Sequence, residues 1–223
     1  MVPAPAPDGG SPARQADDEA LRGILLRSRD LGFLGPGPVD SHLRHALAYL
    51  PLLDGTSTAV DLGSGGGLPG LVLALLGGPD RRWRLVDANR RRCAFLRDAV
   101  AELGLADRVE VTEGRAEDVG RRPDVRGHAD VVVARSFGAP AVVAECAAPL
   151  LTVGGRLVVS DPPDRAIEDR WPAQRLDDLG LSPAAPHRGA GAHLSVMTQV
   201  RPCPDQLGRL RACLLYTSPS PRD

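Results

Sequence analysis

The 223-residue chain contains no lysine; all 27 of its basic residues are arginine. That absence excludes a Schiff-base lysine and a P-loop lysine, and with them the chemistries that need either. A GC-rich coding sequence accounts for such an Ala/Gly/Pro/Arg-rich composition. The four cysteines, Cys93, Cys146, Cys203 and Cys213, form no C-x-x-C pair and have no histidines at zinc spacing. No metal site is expected, and the thiols read as reduced in a cytoplasmic protein. No positive-then-apolar leader opens the chain, and the run from Leu71 to Leu76 falls far short of the ~20 apolar residues that span a bilayer. Neither secretion nor membrane insertion is expected. With 27 basic against 28 acidic residues, overall charge steers the chain towards no polyanion, and an RNA partner must be met by a local patch.

What is present is enough apolar sequence for one domain with a real core, organised around Val60-Asp61-Leu62-Gly63-Ser64-Gly65-Gly66-Gly67-Leu68-Pro69-Gly70. This reads as a buried strand ending at Leu62, a glycine turn, and a helix whose first turn contains Pro69. Glycines at 63, 65, 66 and 67 clear the turn of every Cβ except that of Ser64, so the backbone can lie directly against a bound molecule. The spacing of Gly65, Gly67 and Gly70 also satisfies G-x-G-x-x-G, which leaves NAD and S-adenosylmethionine (SAM) both open.

Around this turn the pattern predicts a disordered leader over 1–16 and a helical cap over 17–54. The cap consists of a helix from Asp17 to about Asp30 and a second helix capped by Asp40 or Ser41. Residues 55–212 form the main domain, with strands ending near Leu62, Asp87, Thr112, Ala134 and Ser160, a last strand at His193–Val200, and helices between them. One of those helices opens at the Asn89 cap, and another runs unbroken from Ala166 to Leu179. Such alternation argues a mostly parallel, doubly wound α/β sheet with ligands at the carboxyl ends of its strands. Residues 213–223 look like the in-frame translation of a sequencing adapter, on which reading the genuine chain breaks off near Ala212.

The chemistry is carried by an ordered set. Asp61 makes the turn D-x-G-x-G, where the acid accepts hydrogen bonds from the turn or, directly or through water, from the ammonium of SAM. Asp87, at the end of the second strand, can take both ribose hydroxyls of an adenosine, as a dehydrogenase would also require. Gly114-Arg115-Ala116-Glu117-Asp118 follows the third strand, where a carboxylate or main-chain group can read an adenine amine, or where acids simply suit a helix N-terminus. No general acid–base pair stands out, and the catalytic residues are unassigned. Phe137 either stacks on a target base or packs against the helix after Pro140. Arginines at 81, 82, 84, 90–92, 121 and 122 form either a phosphate-binding rim or a solvated face.

VDLGSGGGLPGLVLALL, LVDANRRRCAFL, VTEGRAED, VVVARSFGAP and PLLTVGGRLVV together resemble the ordered motifs of the RsmG (GidB) family, which methylates guanine N7 in bacterial 16S rRNA. The resemblance covers roughly residues 30 to 200. It implies a class I SAM-dependent methyltransferase with SAM as cofactor, cofactor contacts at Gly63, Leu68, Ala116, Glu117 and Arg135, and a monomer acting on 16S rRNA or the small ribosomal subunit. Asp61, Gly65 and Asp87 join that set from the residue-level reading. Arg91 and Arg115 match basic positions of the family motifs and are the first choices for substrate contact. His45 matches a family histidine and either meets the substrate or packs in the cap. Two departures stand out: Ser160-Asp161 where the family commonly has Lys-Gly, and a shorter cap. The alternatives are a paralogue methylating another RNA or a small molecule, an NAD-binding oxidoreductase, and a non-catalytic SAM-binding module.

Overall fold

Near-continuous apolar runs such as Val131-Val132-Val133-Ala134 belong to strands buried on both faces, and here they pair into a seven-stranded sheet of order β3-β2-β1-β4-β5-β7-β6. The computed structural model describes residues 12–163 and 166–205. Residues 1–11 of the expected leader and the 213–223 tail lie outside these. The strands are β1 (Thr58–Leu62), β2 (Arg82–Asp87), β3 (Val109–Glu113), β4 (Ala129–Ala134), β5 (Leu151–Ser160), β6 (Ala185–Gly189) and β7 (Ala192–Thr198). The first five run parallel, and β7 and β6 close the edge antiparallel.

The helices are α1 (Pro12–Asp30), α2 (Val39–Leu47), α3 (Gly70–Leu76), α4 (Arg90–Glu102), α5 (Ala116–Val119), α6 (Pro140–Ala147), α7 (Ile167–Arg170) and α8 (Ala173–Asp178). Strand period two splits the core. Ala59, Leu85, Val131, Val133 and Val158 face α1 to α4, while Val60, Leu62, Val86, Val132 and Leu157 face α5, α6 and α8. The first two helices are thus built into one face of the sheet through Leu21, Ile24, Leu25 and Ala46.

Several boundaries differ from expectation. Helix α1 starts at Pro12, inside the stretch expected as leader, and α3 starts one residue after Pro69, which flanks it. Helix α2 follows Pro38 with no side-chain cap, because Asp40 turns instead to Arg22 of α1. The helix expected over Ala166–Leu179 is broken in two: Trp171 precedes Pro172, whose ring pushes it out of the helical region, to φ −124° and ψ 74°. Strand β5 begins at Leu151, ahead of Gly155, across a register shift. Strand β6 lacks any apolar alternation, and its hairpin turns through Ala190 and Gly191, both at positive φ.

Candidate functional site

The glycine turn leaves β1 at the carboxyl edge of the sheet and crosses to the end of β2. The N–H groups of Gly63 and Ser64 both donate to the Val86 carbonyl, at 2.9 and 3.0 Å. Gly63, Gly65 and Gly67 take φ of +69°, +54° and +100°, which ordinary residues reach only with strain. Gly66 is held from behind: Ser28 of α1 donates to its carbonyl at 3.0 Å, and a methyl group there would overlap Ser28 and Leu34.

Asp61 lies beneath the turn with no exposed surface. Its Oδ2 accepts from the Gly70 N–H at 3.0 Å and its Oδ1 has no partner. Burial raises its pKa to about 7 against the opposing hydrogen bonds. Of the two roles left open for this acid, holding the turn is the one its contacts serve. Asp87 sits at the mouth. Its Oδ2 accepts from the Gly65 N–H at 2.9 Å, its Oδ1 from the Asn89 N–H at 2.8 Å, and Arg92 stands 3.9 Å away. Asn89 caps α4 through the N–H groups of Arg91 and Arg92, as its sequence position predicts.

Two hollows flank the turn. One, about 310 Å³, is lined by Asp87, Ala88, Arg115, Ala116, Glu117 and Phe137. The other, about 220 Å³, is lined by Phe33, Gly35, His42, Gly65, Leu68 and Arg135. Gly63, Arg92 and Ser136 border both. The set Gly63, Gly65, Leu68, Asp87, Ala116, Glu117 and Arg135 is therefore brought together, divided between two hollows that share the lining residues Gly63, Arg92 and Ser136. Arg135 follows β4, and burial lowers its pKa. Its Nη2 meets His42 Nδ1 at 2.8 Å, while its buried Nη1 has no partner.

The residues assigned to substrate scatter more widely. Arg115 lies at the rim and pairs with Glu117 at 3.3 Å. Arg91 is exposed on the first turn of α4 and lines neither hollow; the neighbouring Arg92 lines both. Phe137 lines the first hollow, but its ring lies on Gly63 and packs with the core on the α6 side. His45 lines neither hollow, and its Nε2 meets Ser160 Oγ at 2.8 Å in the seam between cap and β5. Ser28, Phe33 and His42 also border the turn, and nothing local in the sequence marks them as its neighbours.

A larger hollow, about 460 Å³, opens at the amino ends of β1 to β4, the wrong edge for a ligand of a parallel sheet, and its Arg84 is engaged by Glu110 and Thr112. No helix among the described residues is long and apolar enough to cross a membrane.

The residues at the carboxyl edge fit SAM. A floor of bare backbone, a carboxylate at the end of β2 and an orphaned guanidinium donor beyond the turn complement its adenosyl and amino-acid halves. Fold and site together define a class I SAM-dependent methyltransferase. Solved structures agree on the fold. A SAM-dependent O-methyltransferase from Thermotoga maritima matches with TM-score 0.58 at 15% identity, covering 80% of this chain and 71% of its own. A Methanococcus maripaludis structure, described as a putative S-adenosyl-L-methionine-dependent methyltransferase, matches with TM-score 0.57 at 16% identity, over 90% of this chain and 98% of its own.

The chain belongs to the GidB family, rRNA small subunit methyltransferase G, whose model matches residues 38–162. A ribosomal RNA small subunit methyltransferase G from Kineococcus radiotolerans is 37% identical over 93% of this chain and 81% of the relative. One from Salinispora tropica is 40% identical over 77% and 74% respectively. Family membership decides the choice between NAD and SAM that glycine spacing left open.

Proposed function

We propose that this chain methylates N7 of a guanine in 16S rRNA, acting as a monomer in the cytoplasm on the rRNA or the small ribosomal subunit. Family membership supports the substrate. Within the site, the reading rests on the unpartnered Arg135 Nη1 beside the glycine turn: a half-buried cation with a spare donor suits the carboxylate of the cofactor's amino-acid end.

When bound, SAM supplies an electrophilic methyl group on a sulfonium. The protein's task is to orient it and to keep water out. Gly63, Gly65 and Gly67 remove side chains from the floor. Each Asp87 oxygen accepts one backbone hydrogen bond and keeps a lone pair for a ribose hydroxyl. Ala116 and Glu117 border the first hollow, on the side assigned to adenine. Guanine N7 presents an in-plane lone pair and loses no proton when methylated, so alignment suffices and no general base is required. Arg91 and Arg115 face solvent where phosphates of a docked RNA can be met.

The test is methyl transfer from labelled SAM to small-subunit rRNA lacking N7-methylguanine, given naked and as the particle, with the labelled base mapped. Label at one guanine N7 that disappears in Asp87→Ala and Arg135→Ala is the expected result. SAM binding without label on either substrate would remove the rRNA assignment. It would also favour a diverged paralogue, a reading to which the Ser160-Asp161 departure and its engagement by His45, Arg170 and Trp171 belong.

A further inference from the structure

His42 is tied at both ring nitrogens. Nδ1 lies 2.8 Å from Arg135 Nη2, and Nε2 lies 3.2 Å from the carbonyl oxygen of Gly35. A guanidinium offers only donors, so Nδ1 must accept; a carbonyl offers only lone pairs, so Nε2 must carry the proton. The two partners therefore select one tautomer of the neutral imidazole. His42 also lines the second hollow together with Arg135, Gly35, Gly65 and Leu68.

The consequence falls on Arg135. Its guanidinium is half-buried near Tyr49, whose hydroxyl donates to the Ala134 carbonyl, and its buried Nη1 has no hydrogen-bond partner. Among the described residues, no carboxylate forms an ion pair with it. The long Arg135 side chain has many rotamers, and the His42 nitrogen is the acceptor that holds one of them. We propose that His42 is a positioning residue: through Nδ1 it orients Arg135, leaving Nη1 free to bind the amino-acid carboxylate of SAM, and through Nε2 it links that orientation to the Gly35-Pro36 loop of the cap. This rests on the reading of Arg135 as the carboxylate-binding residue. The cap loop and the grip on the cofactor are thereby coupled through one side chain.

The experiment compares two ligands, S-adenosylhomocysteine, which carries the carboxylate, and 5′-methylthioadenosine, which lacks it, titrated calorimetrically into the full chain and its His42→Leu and Arg135→Met variants. Loss of one charge-assisted contact corresponds to about tenfold in affinity. His42→Leu is expected to weaken S-adenosylhomocysteine about tenfold and to leave 5′-methylthioadenosine unchanged. In turnover it raises KM for SAM with kcat preserved, and adding it to Arg135→Met costs nothing further. Equal weakening of both ligands, or of neither, overturns the proposal. If Arg135→Met itself fails to distinguish the ligands, the carboxylate reading of Arg135 falls first. If Arg135→Met distinguishes them and His42→Leu does not, only the role of His42 falls. Imidazole ¹⁵N shifts of the unsubstituted chain give an independent reading: a bare Nδ1 and a protonated Nε2 are expected for His42, and a protonated Nδ1 at neutral pH overturns the proposal even if the leucine variant fails to fold.

Discussion

The Gly65 N–H donates to Asp87 Oδ2 at 2.9 Å, so the glycine turn after β1 is pinned to the acid that ends β2. The carboxylate shapes the floor of the site as well as facing the first hollow. Asp87→Ala removes this bond and the one from Asn89 and is expected to weaken S-adenosylhomocysteine by about 10- to 100-fold, as lost hydrogen bonds to a charged group do. Asp87→Asn, which keeps one acceptor, loses less. Calorimetric titration of the two variants checks the order.

Gly63→Ala meets two obstacles, a φ of +69° and the Phe137 ring lying where the new methyl group would go. A loss of about 1–3 kcal/mol in unfolding free energy is expected from the two together. Adding Phe137→Ala clears the overlap but leaves the backbone strain, so a urea-denaturation cycle should be non-additive. Strict additivity would show that the ring moves aside freely.

Asp61 carries a pKa of about 7, raised by burial, against 3.8 for the unfolded chain. Between these values the folded state binds more proton than the unfolded state, so this group's contribution is fully present below about pH 4 and is lost as pH rises through 7. The loss is on the order of 4 kcal/mol at most. Asp61→Asn should flatten that part of the stability profile. An unchanged slope in urea unfolding between about pH 4 and pH 7, the window the shift defines, would contradict it.

His45 runs the opposite way. Burial, then the nearby charge of Arg135, lower its pKa to about 4 from 6.5. Its contribution is present above the unfolded value and is lost as pH falls through the folded one. Solvent screening at this half-buried position limits the effect to about 1 kcal/mol. His45→Gln, which can still meet Ser160, should unfold less readily in acid than the parent chain when melting is followed from neutral pH downwards.

Arg91 and Arg92 are neighbours with different surroundings: the first is exposed outside both hollows, the second borders both and stands 3.9 Å from Asp87. Arg91→Ala is expected to weaken rRNA binding and reduce its salt slope by about 1 while sparing S-adenosylhomocysteine. Arg92→Ala should weaken both. RNA binding measured across a salt series, beside cofactor titration, separates them.

The order of elements from β1 to β5 was legible because a buried parallel strand needs an unbroken apolar run, and because Asn89, Gly104 and Pro140 punctuate the helices locally. Elsewhere local signals are weak: Asp40 looks like a cap but serves Arg22, Pro172 breaks what periodicity joins, and the polar edge strand β6 carries no alternation. The floor of the site, from Asp61 to Gly70 with Asp87, was determined by the sequence itself, since positive φ and a strand-end acid are properties of single positions. Only the tertiary structure decided that Ser28 grips Gly66, that Phe137 lies on Gly63 and that His42, 93 residues from Arg135, receives its guanidinium. Those contacts depend on how the cap and the loop after β4 pack over the sheet edge, and no periodicity within a segment encodes the angle at which two segments meet.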